Sequence, residues 1–196
     1  GPPENTCGSG GQGGWRKTAT IFKQTHHMPQ LFLRGPDSVK LLSDIGVNSF
    51  ANFKPNSAKQ FVGCNSKGQV IGESLVYCYD VDNFELVSGM PLLNWVHYNA
   101  EKGKYNVTVE RDNHTAGNPT GVRVKFRFGM DGPNAVKIFE DVIDCEMPII
   151  KFFHIAPVRI AGCDVMALRH AMAGPQCVDF LVPSGGMSTV MHTVRT

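Results

Sequence analysis

The densest cluster of residues able to do chemistry is Gln24-Thr25-His26-His27-Met28-Pro29, just ahead of an apolar strand-like run. Adjacent histidines on an extended segment point to opposite sides, so only one of the two can face a pocket. In that geometry they do not form a chelating pair, and no metal is expected. Two readings of the pair remain open: a satisfied or exposed histidine, or one pocket residue with a neighbour facing away. No nucleophile elbow, P-loop, dinucleotide fingerprint or zinc-protease helix occurs. Gly8-Ser9-Gly10-Gly11 is low-complexity glycine rather than a phosphate cradle. The 6 cysteines (Cys7, Cys64, Cys78, Cys145, Cys163 and Cys177) are widely and irregularly spaced with no CxxC pair, and read as reduced thiols.

The elements that position these residues come from an internal repeat. Gly35-Pro36-Asp37-Ser38-Val39-Lys40-Leu41-Leu42-Ser43-Asp44-Ile45 returns as Gly132-Pro133-Asn134-Ala135-Val136-Lys137-Ile138-Phe139-Glu140-Asp141-Val142. Each copy follows a predicted strand, residues 30–34 and 122–128. The glycine permits a tight exit, and the proline presets the turn into a helix. Asp37 or Asn134 is expected to cap or support the first turn. Apolar residues then recur at helical spacing. Hairpins are expected after each helix, turning at Asn65-Ser66-Lys67-Gly68 and at Ala161-Gly162-Cys163-Asp164. Repeat units therefore begin near residues 30 and 122, each reading strand, Gly-Pro turn, helix, hairpin. Two such units are expected to pack as one pseudo-symmetric α+β body.

Between the repeats, Phe84 to Ser88 reads as a strand and Pro91 to about Glu101 as a helix. The inner side of that helix is expected to carry Leu92, Trp95, Val96 and Tyr98 or Asn99. Tyr105 to Glu110 reads as a further strand. In 122–128, Val122, Val124, Phe126 and Phe128 alternate with Arg123, Lys125 and Arg127, predicting a buried apolar face and a basic one. The basic face is either a solvated strand surface or a patch that attracts an anionic tail.

Composition bounds the function classes. Among 196 residues, 42% are hydrophobic and 18% charged, the profile of a globular chain. A net charge of +2 gives no footprint of a nucleic-acid partner. No apolar run approaches the roughly 20 residues that cross a bilayer. Residues 1–14 are glycine-rich and polar, without a signal peptide, and are expected to form a flexible lead, with order beginning near Trp15. The sequons at Asn106 and Asn113 carry no weight in a chain read as cytoplasmic. Taken alone, these residues describe an α+β domain with a tandem unit and no reaction.

A family resemblance adds the reaction. Gln24-Thr25-His26-His27-Met28, Leu33-Arg34-Gly35-Pro36-Asp37 and Asn48-Ser49 are similar to motifs of the tetrahydrofolate-dependent aromatic O-demethylases. So are Gly68-Gln69-Val70-Ile71-Gly72, Asn94-Trp95, Glu110-Arg111-Asp112 and the stretch from Leu168 to Gly174. That family acts on vanillate, syringate or 3-O-methylgallate. It shares its fold with the glycine-cleavage aminomethyltransferases and dimethylsulfoniopropionate demethylase. The likeness runs from about Trp15 to the last residue. It implies the aminomethyltransferase folate-binding fold in residues 15–196, with the C-terminal part of the family missing. It also implies methyl transfer from a methoxylated aromatic to N5 of tetrahydrofolate.

The resemblance carries roles to particular positions. Gln24 and His27 would line the substrate pocket as catalytic residues, with His26 facing away into structure. Val87 would lie beside the pterin, and Phe152 and Phe153 near the aminobenzoyl part of folate. Asp179 stands where the family has a pterin-binding glutamate, one methylene longer. Gly89 stands where the aromatic-acid enzymes carry a carboxylate-clamping arginine, which points to a neutral methoxy-aromatic or an altered pose. Glu73 occupies the region where the glycine-cleavage enzymes have an aspartate pair for the substrate amine. No membrane, nucleic acid or obligate protein partner is implied. Beside the O-demethylase reading stand a non-catalytic folate-binding module, a relative acting on an aminomethyl or sulfonium donor, and a fragment that binds nothing.

Overall fold

In the computed structural model, which describes residues 13, 15–26, 28–113, 118, 121–170 and 177–195, Gly35 and Gly132 have φ angles of 130° and 132°. Both lie where side chains are strained. A Cβ on Gly35 would meet the Asn106 carbonyl oxygen at 2.3 Å, and one on Gly132 would meet that of Thr18 at 2.5 Å. Each glycine thus lets a strand exit pass directly beneath the chain entering a neighbouring edge strand.

The chain divides into two compact units, one of residues 1–24 with 125–196 and one of residues 25–124. The second unit contains β2 (Gln30–Arg34), α1 (Ser38–Ile45), β3 (Ser57–Cys64), β4 (Val70–Asp80), β5 (Asn83–Ser88), α2 (Met90–Lys102) and β6 (Thr108–Asp112). Its strands run in the antiparallel order β6-β2-β5-β4-β3. The first unit contains β1 (Thr20–Lys23), β7 (Lys125–Asp131), α3 (Ala135–Val142), β8 (His154–Ile160), β9 (Cys163–Arg169), β10 (Cys177–Pro183) and α4 (Met187–Arg195). Its order is β1-β7-β10-β9-β8, again antiparallel. Strand for strand the two sheets correspond, edge strands included. The fold is therefore mixed α+β, with a strand–helix–hairpin unit used twice.

Each sheet buries one face under its helices. Leu31, Leu33, Phe61, Val76, Phe84 and Leu86 pack against Leu41, Leu42, Leu92, Leu93 and Val96. In the other unit Phe128, Met130, Val165, Val178 and Phe180 pack against Ala135, Phe139, Val190 and Val194. Side chains alternate along a strand, so the polar residues of the same strands face the opposite way.

Several local expectations are corrected. Neither Asp37 nor Asn134 caps its helix with a side chain. The Asp37 carboxylate instead accepts the Asn106 N–H at 2.7 Å, holding the chain that enters β6. α2 buries Leu92, Leu93 and Val96, while Tyr98 is exposed. β6 begins at Thr108 rather than Tyr105, and β7 begins at Lys125 rather than Val122. The strands β1 and β10 and the helix α4 were not anticipated. The flexible lead of residues 1–14 lies outside the described residues except for Gly13. Among the described residues, no helix is long and apolar enough to cross a membrane.

Gly35→Ala and Gly132→Ala should each destabilise the protein by more than about 1 kcal/mol, because both backbone and space are incompatible with a side chain. Gly185→Ala, whose Cβ would meet nothing within 4 Å, should be close to neutral. Urea unfolding of the three variants checks this.

Candidate functional site

In the unit built from β1 and β7–β10, the sheet face away from the helices carries Arg127, Gly129 and Asp131 from β7 and Cys177 and Asp179 from β10. The register sets Gly129 opposite Asp179 and Asp131 opposite Cys177. A glycine inside a strand marks a close approach, and here two side chains make it. A Cβ on Gly129 would lie 2.6 Å from Gln24 Nε2 and 2.8 Å from Asp179 Oδ1. Gln24 is held there by its own backbone N–H, which donates to the Arg127 carbonyl at 3.0 Å.

Asp179 is 1% exposed, and the Arg127 guanidinium, also buried, donates to its Oδ2 at 2.7 Å. A buried carboxylate is tolerated when a cation and hydrogen bonds compensate it. The Cys177 thiol adds a weak donation to Oδ1 at 3.8 Å. His170, just past the end of β9, places Nδ1 3.9 Å from Asp179 Oδ2, beyond hydrogen-bond reach. Burial pushes the His170 pKa down, partly offset by Asp179. Among the described residues, buried His170 Nδ1 and Asp131 Oδ1 on this face have no hydrogen-bond partner. The face thus offers a neutralised carboxylate, an amide, and polar atoms still able to bond, the requirements of a flat ring bearing both N–H and C=O groups.

Phe153 borders this cluster. Its ring meets that of His170 edge-on at 5.7 Å, and Phe152 meets Phe153 edge-on at 4.7 Å. Phe153 adopts a φ of 55°, and its N–H donates to the Arg169 carbonyl at 2.8 Å. Phe152 is 58% exposed, an apolar ring available for stacking.

The unit built from β2–β6 has a counterpart. Matching Gly35 with Gly132 aligns Phe32 with Gly129, and the strand partner of Phe32 is Glu85. Glu85 therefore holds the position of Asp179, and it too is fully buried. Tyr79, equivalent by chain position to His170, donates its hydroxyl to Glu85 Oε2 at 2.8 Å. Burial, with the nearby Glu85 charge, raises the Tyr79 pKa well above its ordinary value, which keeps this tyrosine a donor. Val87 lies two residues along on the same face, buried and paired with Gln30, whose Oε1 has no hydrogen-bond partner among the described residues.

The structure brings together Gln24, Phe153 and Asp179 of the residues singled out from sequence. Phe152 is adjacent to Phe153 at the cluster's edge, Val87 belongs to the other unit, and His27 lies outside the described residues. His26 is exposed rather than turned into structure. Arg127, Gly129, His170, Glu85 and Tyr79 escaped the sequence reading. The basic face expected on 122–128 is corrected too. Arg123 and Arg127 are buried at 2% and 5% exposure, whereas Val122 and Val124 are exposed at 68% and 47%. The physical reason is that each arginine has a buried carboxylate, Asp112 for Arg123 and Asp179 for Arg127. No metal was anticipated, yet ligand atoms of His170, Cys177 and Asp179 lie within 4.8 Å of one another. The Arg127 cation already occupies Asp179, which opposes a second cation at that carboxylate.

The profile of the family described as the GCVT N-terminal domain matches residues 14–196. A syringate O-demethylase from Sphingobium sp. is 44% identical over 163 residues, covering 83% of this chain and 35% of the relative. An aminomethyltransferase from Halothermothrix orenii is 26% identical, covering 76% of this chain and 39% of the relative. The crystal structure of the glycine cleavage system aminomethyltransferase T from Bartonella henselae superposes with a TM-score of 0.72 at 14% identity, over 91% of this chain and 46% of that one. This last likeness is one of fold. The chain spans less than half the length of each of these proteins.

Because the folded pKa of His170 is lowered from 6.5, the unfolded chain binds more protons just below that pH. His170 therefore contributes stability above its unfolded pKa that is lost as pH falls toward the folded value. His170→Gln should flatten the fall in urea midpoint between about pH 7 and pH 5, measured against the parent protein.

Proposed function

Because the chain belongs to the GCVT N-terminal domain family, we propose that the full-length protein removes an O-methyl group from a methoxylated aromatic and transfers it to tetrahydrofolate. The 44% identity to a syringate O-demethylase supports this substrate class over an aminomethyl donor, the identity to the aminomethyltransferase being 26%. The observation that carries the reading is the convergence of Gln24 and Asp179 over Gly129. Any side chain at that position would push the two groups apart.

When bound, tetrahydrofolate supplies N5 as the acceptor of the methyl group. Asp179, which accepts a hydrogen bond from Arg127 at 2.7 Å, is the group to accept N–H donors of the pterin ring. Gln24 has both an amide N–H₂ and a carbonyl, so it can bond either to the ring or to an oxygen of the aromatic partner. Phe152 and Phe153 offer apolar ring surface for the aminobenzoyl part. His27 is assigned to the departing oxygen, where an imidazole stabilises the negative charge of the phenolate as the C–O bond breaks. Catalysis of this kind is positioning plus electrostatics, with the methyl carbon held in line between its two partners.

Gly89 bears on the substrate. It is extended, with φ −68° and ψ 157°, and a Cβ there would meet only Pro91 Cδ, at 3.7 Å. The backbone thus accommodates an arginine, yet the chain carries none. A neutral methoxy-aromatic fits such a site better than a benzoate.

Tetrahydrofolate at saturation should raise the melting temperature of the full-length protein. Incubation with methoxy-aromatics should yield 5-methyltetrahydrofolate, read by mass spectrometry. Gln24→Ala and His27→Ala should each lower turnover about 100-fold, and His26→Ala much less. No melting shift and no methylated folate would remove the reading, and equal effects of the two histidines would reverse their assignment. Gly89→Arg should fold normally and raise kcat/KM for methoxybenzoates relative to neutral methoxy-aromatics, measured in paired assays.

A further inference from the structure

Asp131 is the last residue of β7, on the face that carries Gly129 and Asp179, and it is buried at 6% exposure. Its register partner on β10 is Cys177, whose thiol lies 3.8 Å from Asp179 Oδ1. His170, 7% exposed, follows Arg169, the partner of Val178, and so stands on the other side of Cys177. Asp131, Cys177 and His170 thus form one row across three strands, next to the row of Gly129 and Asp179. Burial first, and then Asp179, Arg127 and Asp131, act on the His170 pKa, so these groups surround one point.

The row ends in two orphaned atoms. Among the described residues, Asp131 Oδ1 and His170 Nδ1 are buried without a hydrogen-bond partner. Leaving a buried polar atom unanswered is costly, so such atoms mark where a ligand completes the bonding. An imidazole nitrogen can donate or accept, depending on its tautomer, whereas a carboxylate oxygen asks for a donor. The row beside Asp179 is therefore selective chiefly at Asp131.

Folate rings differ in this property. Tetrahydrofolate and dihydrofolate carry a hydrogen on N8, beside the amino-bearing edge of the ring. Fully oxidised folic acid has a lone pair there instead. An N–H at that position answers a carboxylate oxygen, and a lone pair opposes it.

We infer that Asp131 is a specificity-determining residue of the cofactor site, selecting a reduced pterin, which bears N8–H, over the oxidised ring. The inference rests on the folate reading and deepens it. Asp179 takes N–H groups of the pyrimidine half of the ring, and Asp131 reads the neighbouring edge. The selection matters for methyl transfer, because the oxidised ring cannot accept a methyl group at N5 and would only block the site.

The test measures dissociation constants for tetrahydrofolate, dihydrofolate and folic acid, under anaerobic conditions, with the full-length protein and its Asp131→Asn variant. Melting temperatures of both ligand-free proteins are read alongside. Asparagine keeps the shape but offers either an oxygen or an N–H₂ group. The parent should bind both reduced forms about 10-fold or more tightly than folic acid. In Asp131→Asn that gap should close, with the reduced forms weakened about 10-fold and folic acid unchanged or strengthened. Equal weakening of all three ligands would overturn the inference, since that marks a merely structural role. So would a parent that binds dihydrofolate no better than folic acid, a ranking that needs no variant to fold. If the parent binds no tetrahydrofolate, the folate reading fails and takes the inference with it. Tetrahydrofolate binding with the same ratio of affinities in both proteins sinks the inference alone.

Discussion

The buried ion pair between Arg127 and Asp179 is the constraint around which the candidate site is built. Neither charge survives in that environment without the other, and removing one partner of such a pair costs about 3–5 kcal/mol. The pair needs room, and Gly129 gives it by leaving the strand bare where Asp179 and Gln24 meet. It also sets the charge around His170, which is left neutral by burial, 3.9 Å from the same carboxylate. A buried carboxylate paired with a guanidinium is a strong acceptor for directed N–H groups. That property links the sheet geometry to folate recognition.

Duplication explains why Asp179 has a buried carboxylate counterpart in the other sheet. Glu85 occupies in one sheet the place that Asp179 occupies in the other, and each has a proton-bearing ring at the end of the neighbouring strand, Tyr79 or His170. The chemistry has diverged at these matched positions. Asp179 is balanced by a cation, whereas Glu85 takes a neutral hydroxyl. The two units therefore share a scaffold while offering different surfaces, as expected when one copy of a repeat is specialised. Arg123 and Arg127, four residues apart, serve the two units separately, one with Asp112 and one with Asp179.

Much of the architecture was legible because it is written in local rules. The Gly-Pro-Asp/Asn steps, the helices after them and the hairpin turns at Asn65–Gly68 and Ala161–Asp164 all follow from backbone preferences over a few residues. The pattern read from 122 to 128 failed because alternation alone says which residues share a face, not which face is buried. Ion pairs with Asp112 and Asp179 buried the arginines that hydrophobicity put outside, while Phe126 and Phe128 kept their places at the core. Asp37 was misread for a related reason: a side chain able to cap a helix is equally able to hold a distant amide, and Asn106 is 69 residues away. In the site, Asp179, Gln24 and Phe153 came from family resemblance. Their partners Arg127, Gly129 and His170 depend on strand register, which short-range signals do not specify. A glycine interrupting an apolar strand at Gly129 was the one available hint.

In the proposed complex the pterin ring seats on the sheet face that bears Asp179. A crystal structure of the full-length protein with 5-methyltetrahydrofolate tests it most directly. The expected result is pterin nitrogens within hydrogen-bond distance of the Asp179 carboxylate, with the Gln24 amide alongside and the Arg127 contact intact. A ring bound with neither Asp179 nor Gln24 in contact would contradict it.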